Sequence, residues 1–362
     1  MTELQKKINA ILKKAPTAIQ DVNTIGILRK IPLDSPQLSY MFGGGLTIGR
    51  MHRFRGPESS GKSTICNYLA GQLQKKLPAF LNKPNKKVIV YCDFERTFDK
   101  HHATENGLNC EKDYFVYLTP DDIETASDVL SELIKTDELA GIILDSDAAA
   151  PSRAQNVDPA GKASFGGSAK ALAEMIRKIN ILDANYSTTL LWISQERVNM
   201  QPMSHLPAVT GGEAPKFYAS TVNRITKKDV IKEGDETTGI TIRVRNYKNK
   251  TGVPFRDANM NLYYRDSFRP DEEYIDFLIA FDIIKQSGAF FSIPGEEKKV
   301  QGRVKVQEWL NAHQKEYTKM KQQVDEMLVR ENILDANREL ISEDIDPSAT
   351  EISEDIMNDD EE

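Results

Sequence analysis

Gly56-Pro57-Glu58-Ser59-Ser60-Gly61-Lys62-Ser63 fits G-x-x-x-x-G-K-[ST] at every fixed position. Residues 51–54 read as a short strand before it. Residues 64–77 read as a helix after it, with Ile65, Leu69 and Leu73 at helical spacing. Strand, glycine loop and helix are the context in which this pattern binds phosphate. Glycines let backbone N–H groups face a polyphosphate, and the helix N-terminus adds positive potential. In that setting Lys62 reaches the β- and γ-phosphates and Ser63 ligates Mg²⁺. A Gly/Ser-rich turn with a chance lysine is the competing reading, and it leaves the flanking strand and helix unexplained.

Working outward, 362 residues allow one large domain or two to three smaller ones. No stretch approaches the roughly 18 apolar residues of a membrane span, and residues 1–14 lack the apolar run of a secretory signal. Cys66, Cys92 and Cys110 have no metal-ligand spacing and read as reduced core residues of a cytoplasmic protein. The net charge of −7 conceals an uneven distribution: residues 340–362 hold ten acidic residues and no basic one. With those ten set aside, 44 of the 54 acidic residues face 47 Lys+Arg, so the body is mildly basic. The tail itself has the composition of a disordered segment, suited either to solubility or to restraining access of a polyanion to the basic surface.

Two near-continuous apolar runs read as buried parallel strands, 87–93 and 141–145. The first leads into Asp93-Phe94-Glu95, at the strand edge where open α/β sheets bind ligands. Glu95 there can orient or deprotonate a water, or be an ordinary loop acid. The second ends in Asp145, which with Lys62 and Ser63 reads as the Walker B acid holding Mg²⁺ through water. A third run, 188–193, ends at Ser194-Gln195, and Gln195 can bond a γ-phosphate or remain a core-edge amide.

Residues 151–168 and 198–212 are long irregular stretches, a length that within a compact core points to function or disorder. Residues 220–226 and 239–247 read as a hairpin, followed by Lys248-Asn249-Lys250, a surface charge pair or a phosphate sensor. At the N-terminus, Leu4, Ile8, Ile11 and Leu12 share one helical face. From about Pro270 the pattern changes to a small separate domain, with helices expected around 290–293 and 304–310.

Over residues 30–338 the chain resembles bacterial and phage RecA recombinases. The likeness is carried by the phosphate loop, Leu144-Asp145-Ser146, Gly211-Gly212, Lys216-Phe217-Tyr218-Ala219-Ser220, Lys248-Asn249-Lys250 and Gly288-Ala289. It implies an α/β fold: a RecA-type P-loop ATPase core with a mainly parallel sheet, an N-terminal helical polymerisation segment and a small C-terminal α/β domain. The corresponding division is 1–30, 31–268, 269–338 and an acidic tail, 339–362. It also implies roles. The nucleotide cradle runs from Gly56 to Thr64, with Asp99 as the adenine acid, His102 in place of an aromatic stacker and Tyr264 nearby. Glu95 is the catalytic glutamate, Gln195 couples γ-phosphate to the second DNA loop, and Lys248 and Lys250 reach a neighbour's ATP site. Residues 156–166 and 197–212 are similar to the two DNA loops, in which Phe165, Gly166, Met200, Gly211 and Gly212 contact DNA. Lys170, Arg177 and Arg197 serve the DNA backbone, and Lys216 and Phe217 a subunit interface.

Three departures stand out. The second loop is one residue short, Glu213 stands where relatives carry an amide, and Val222 replaces an arginine near the interface, with Arg224 two residues on. The N-terminal region has the length expected of a phage-encoded member. The resemblance implies an ATP- and Mg²⁺-dependent recombinase. Its partners are single-stranded DNA, homologous duplex, further copies of itself and single-strand-binding or mediator proteins; it would be nucleoid-associated when DNA-bound. Two other readings share the core: a hexameric helicase, disfavoured by the C-terminal Ser287-Gly288-Ala289-Phe290, and a filament scaffold for repressor self-cleavage.

Overall fold

The computed structural model describes residues 28–157, 167–197, 208–209, 214–264 and 267–339. The expected N-terminal helix, Phe165, Gly166, Met200, Gly211, Gly212, Glu213 and the tail from 340 lie outside the described residues.

The two apolar runs form β4 (Val88–Asp93) and β6 (Leu139–Asp145), and every residue of β6 is buried. They join β3 (Met51–Gly56), β5 (Phe115–Leu118) and β7 (Thr189–Arg197) in a parallel array, in the order β3-β7-β6-β4-β5. On the other side of β3, β9 (Thr221–Glu233) adds in parallel. Then β10 (Glu236–Asn249), β11 (Asp257–Tyr263) and β12 (Ser267–Phe268) continue antiparallel, and the short β8 (Ala208–Val209) pairs with the end of β7. The ten strands are thus an α/β sheet, mainly parallel in its centre.

Helices cover both faces, because the centre of a parallel sheet must be buried twice. One face packs under α2 (Lys62–Leu81) through Ile65, Leu69 and Leu73, as the helical spacing predicts. The other packs under α4 (Ile123–Lys135) and α6 (Gly167–Tyr186), around Leu130, Ile176 and Trp192. The start of α4 is set by Asp122, whose carboxylate accepts from Thr125 N–H at 2.7 Å. The hairpin expected at 220–247 is present but longer: its turn is Gly234-Asp235, and Lys227–Glu233 extends it with a polar run that has no apolar alternation to read.

Before the phosphate loop the structure adds elements without a strong sequence signal: β1 (Lys30–Ile31), α1 (Pro36–Met41) and β2 (Leu46–Thr47). Ser35 caps α1, its Oγ accepting from Leu38 N–H at 3.1 Å, and Pro36 opens the first turn.

The C-terminal unit has its own core around Leu278, Phe291, Val306, Tyr317 and Val324. It comprises α8 (Pro270–Ala280), β13 (Lys285–Ser287), β14 (Phe290–Ser292), β15 (Val300–Gln301), α9 (Arg303–Ala312) and α10 (Gln314–Glu339). The helix expected around 290–293 is instead β14. Gly288, at φ +58°, makes a two-residue turn with Ala289, and Phe290 and Phe291 then alternate outward and inward.

Glu273 joins this unit to the core. Its Oε2 accepts from Ser35 Oγ at 2.6 Å and from Gln37 N–H at 3.2 Å, so it caps α1 from across the junction. Burial pushes the Glu273 carboxyl up to about 8, with the Asp276 and Glu272 charges adding to the effect. The folded chain therefore holds this proton more tightly than the unfolded one. Its contribution to stability is fully present in acid and is lost as pH rises from about 4.5 through about 8. Glu273→Gln should flatten the pH dependence of thermal unfolding. At pH 8.5 its midpoint is expected about 2–4 °C above the parent, a gain of about 1 kcal/mol, with little difference at pH 5.

Candidate nucleotide and nucleic-acid site

At the carboxyl edge of the parallel strands, Gly56 ends β3 and Gly61 precedes α2 at φ +93°. A Cβ on Gly56 would collide with the backbone carbonyl of Ile225, so the loop needs a residue without a side chain there. No side chain caps α2, which leaves its first N–H groups open to an anion. The Ser60 hydroxyl is buried in the same loop without a protein hydrogen-bond partner, as a group that receives a phosphate oxygen would be. Lys62 Nζ donates to the carbonyls of Gly56 at 3.1 Å and Pro57 at 2.6 Å. Burial lowers its pKa, and the Asp145, Glu95 and Glu196 carboxylates oppose that shift.

The three acid-ended or amide-ended strands converge on this loop. Asp145 Oδ2 accepts from Ser63 Oγ at 3.0 Å and from Tyr91 OH at 2.6 Å. Burial raises the Asp145 pKa, the two hydroxyl donors lower it, and the nearby Glu95 and Asp93 charges raise it further. A hydroxyl and a carboxylate at this separation are hard oxygen donors that fit Mg²⁺. Among the described residues no group of three or more His, Cys, Asp or Glu could hold a metal ion. Glu95 Oε1 accepts from Gln195 Nε2 at 2.7 Å and from the Ser146 hydroxyl. The glutamate and the glutamine, 100 residues apart in sequence, are thus one hydrogen-bonded unit.

Asp93 shapes the loop that carries Glu95. Its Oδ1 accepts from the backbone N–H groups of Glu95 and Arg96, and its Oδ2 from those of Thr97 and Phe98 and from Tyr117 OH. In the sequence Asp93 reads only as a strand end. The signal available was an aspartate starting a turn, which commonly bonds its own following backbone.

On the rim, Thr64 Oγ1 lies 3.1 Å from His102 Nε2. Asp99 caps α3 (Lys100–Glu105), its Oδ1 accepting from the His101 and His102 N–H groups. Tyr264, in the turn just after β11, is 60% exposed.

A second cluster is set apart from the first. Lys248 Nζ donates to the Lys216 carbonyl at 2.5 Å and Lys250 Nζ to the Phe217 carbonyl at 2.9 Å, at the carboxyl end of α7 (Ala214–Tyr218). Burial and the neighbouring Lys250 and Lys216 charges lower Lys248 to about 8. Lys248 is level with Val222 and through it with Arg53, and Asn249 is level with Thr221 and through it with His52. These lysines therefore flank the amino-terminal half of β3, whereas the phosphate loop leaves its carboxyl end, roughly 10–15 Å along the strand. Phe217 beside them is 65% exposed.

Two family models account for most of the chain. The RecA N-terminal domain matches residues 4–269 and the RecA C-terminal domain residues 272–329. The chain belongs to the RecA family. Relatives named Protein RecA include that of Mycoplasma mycoides subsp. mycoides, 31% identical over 286 residues and 79% of each chain. That of Herpetosiphon aurantiacus is 31% identical, over 78% of this chain and 76% of its own. That of Chlorobaculum tepidum is 31% identical over 318 residues, 87% of this chain and 88% of its own.

In this RecA-family chain Lys170 and Arg177 lie on the exposed side of α6, the helix that follows residues 158–166. Arg197 ends β7 and pairs with Ala208 of β8. Val222, where an arginine was expected, is buried in the core beside Trp192, while Arg224 makes a two-pronged ion pair with Glu196. No described helix is long and apolar enough to cross a membrane.

Lys62→Ala should remove the cation that the loop offers to an anion. ATP hydrolysis is expected to fall by roughly 10²-fold or more, a loss comparable to removing one preorganised charge-stabilising donor. Binding of a fluorescent ATP analogue should weaken in parallel; unchanged binding and turnover would remove Lys62 from the site.

Proposed function

We propose that this chain is an ATP- and Mg²⁺-dependent recombinase that polymerises on single-stranded DNA and exchanges strands with a homologous duplex. The observation that carries the reading is the convergence of Lys62, Ser63, Asp145, Glu95 and Gln195 on one sheet edge, in a chain of the RecA family. Mg²⁺, when bound, would be held by Ser63 and Asp145 and would neutralise charge developing on the transferred phosphoryl group. Glu95 accepts a proton from, or orients, the attacking water. Gln195, now donating to Glu95, would exchange that partner for the γ-phosphate and carry the change along β7 towards 198–207. DNA would be gripped mainly through its backbone, by Lys170, Arg177 and Arg197, so binding is expected to tolerate sequence and weaken with salt. Residues 340–362, with ten acidic residues, would compete with duplex for basic surface on the C-terminal unit.

Strand exchange between a homologous duplex and a pre-coated single strand tests the proposal, with electron microscopy of the same mixture. Helical filaments and exchanged product are expected. Closed rings with duplex unwinding would replace the reading by a helicase, and filaments without exchange would leave only the scaffold role.

Glu95→Gln should retain ATP and DNA binding and hydrolyse ATP about 10²–10⁴ times more slowly. Its filaments should outlast those of the parent, as followed by light scattering after dilution. Normal turnover with rapid disassembly would exclude Glu95 as the base.

Lys248 and Lys250 should act on a neighbouring subunit's nucleotide. A Lys62→Ala chain mixed with a Lys248→Ala/Lys250→Ala chain should recover part of the activity that each lacks alone. Co-assembled filaments with no activity would argue that the lysines serve their own subunit.

A further inference from the structure

The face of the sheet under α6 carries charges where a core would ordinarily be apolar. In β3 both Arg53 and Arg55 point to this face, and their registers place Arg53 level with Trp192 and Val222, and Arg55 level with Ser194 and Arg224. The carboxylates that answer them are Asp147 and Glu196. Asp147 is buried; it accepts from Trp192 Nε1 at 2.9 Å and Ser194 Oγ at 2.6 Å, with Arg53 at 3.4 Å. Both side chains of that lower pair are buried.

The upper pair borders both functional segments. Arg224 donates through Nε to Glu196 Oε1 at 2.9 Å and Oε2 at 3.0 Å, and its NH2 lies 2.9 Å from Oε2. Arg55 Nε approaches Glu196 Oε1 at 3.5 Å. The Glu196 side chain is only 3% exposed, and its bond to Arg224 raises the arginine's pKa. Arg55 also lies 5.3 Å from the centre of the Tyr247 ring, and Arg245 5.5 Å from it. Two positions matter. Arg55 immediately precedes Gly56, the first residue of the phosphate loop. Glu196 follows Gln195 and pairs across with Val209 of β8.

We propose that Glu196, clamped by Arg224 and Arg55, is a positioning residue that couples occupancy of the phosphate loop to the pairing of β7 with β8. The proposal rests on the ATPase and DNA-binding reading above, but it uses a route separate from Gln195. Glu196 lies near enough to Lys62 for their charges to interact. A polyphosphate on Lys62 repels Glu196 and attracts the two arginines, and this shifts the balance within the clamp. Glu196 also pairs through its backbone with Val209, so the clamped residue belongs to the β7–β8 pairing itself. The clamp acts by holding β7 against β3 and β9.

The experiment compares full-length parent, Glu196→Gln and Glu196→Asp in ATP hydrolysis with and without poly(dT), together with binding of a fluorescent ATP analogue without DNA. Glu196→Gln keeps the side chain's shape and removes its charge. Stimulation by DNA is expected to fall about fivefold or more, within the usual range of coupling between sites. DNA-free nucleotide affinity should not fall, because the charge removed is one that repels a polyphosphate, and Glu196→Asp, which keeps the charge, should restore most of the stimulation. Parent-like stimulation in Glu196→Gln overturns the proposal. So does an equal loss of stimulation and nucleotide affinity in both variants, the mark of a purely structural role. A second measurement needs no variant: hydrogen exchange of the parent with a non-hydrolysable ATP analogue and no DNA. Slower exchange in 194–197 and 221–225 is expected, and unchanged exchange overturns the coupling. A parent chain that binds ATP but shows no stimulation by DNA overturns the underlying reading, and the coupling with it.

Discussion

The hydrogen bond from Ser63 to Asp145, 3.0 Å long, is the contact on which the rest of the site depends. Ser63 belongs to the first turn of α2 and Asp145 to the end of β6, so the bond ties the phosphate-loop helix to the strand two places along the sheet. It is made in a buried setting that raises the carboxyl pKa, and there each donor counts for more than it would in water. Tyr91 adds the second donor, from the neighbouring strand β4. Three separate elements are held at one oxygen.

Around that point the parallel register does the remaining work. Gly56 is level with Gln195, and Asp93 with Asp145, so the carboxyl ends of β3, β7, β6 and β4 finish along one edge. Parallel strands joined by helices bring all their carboxyl ends to the same side, and the side chains that follow those ends meet there without long loops. Glu95 reaches Gln195 for this reason, and Asp93 gives its loop a fixed shape with five hydrogen bonds. The basic pair Lys248 and Lys250 lies towards the opposite end of β3 because β10 returns antiparallel.

The polar face under α6 shows how far a protein can depart from an apolar core when each charge is answered. Arg53 and Asp147 are both almost wholly buried, and Glu196 is shared by two arginines. Removing one member of such a pair leaves an uncompensated buried charge, usually a cost of about 3–5 kcal/mol, whereas keeping the pair adds little net stability. Ion pairs of this kind fix arrangement more than they stabilise, and here they fix the strands that frame the phosphate loop.

The sequence by itself determined the phosphate loop, the buried strands ending in Asp93 and Asp145, the covering helices and the family. All of these rest on short-range patterns: glycines at a tight turn, apolar runs, and helical spacing of Ile65, Leu69 and Leu73. It was silent on α1, whose six residues are too few for periodicity, and it read a helix where Gly288-Ala289 turns the chain into β14. Only the tertiary structure decided what the charged side chains face. Asp99 is the cap of α3, Asp93 is the frame of the Glu95 loop, Val222 is a core residue, and Arg224 belongs to Glu196. The Asp99 cap and the Asp93 turn are local patterns, an aspartate bonding the backbone that follows it. The place of Val222 and the pairing of Arg224 with Glu196 are selected by strand register and side-chain direction, which are properties of the assembled sheet rather than of any stretch within it.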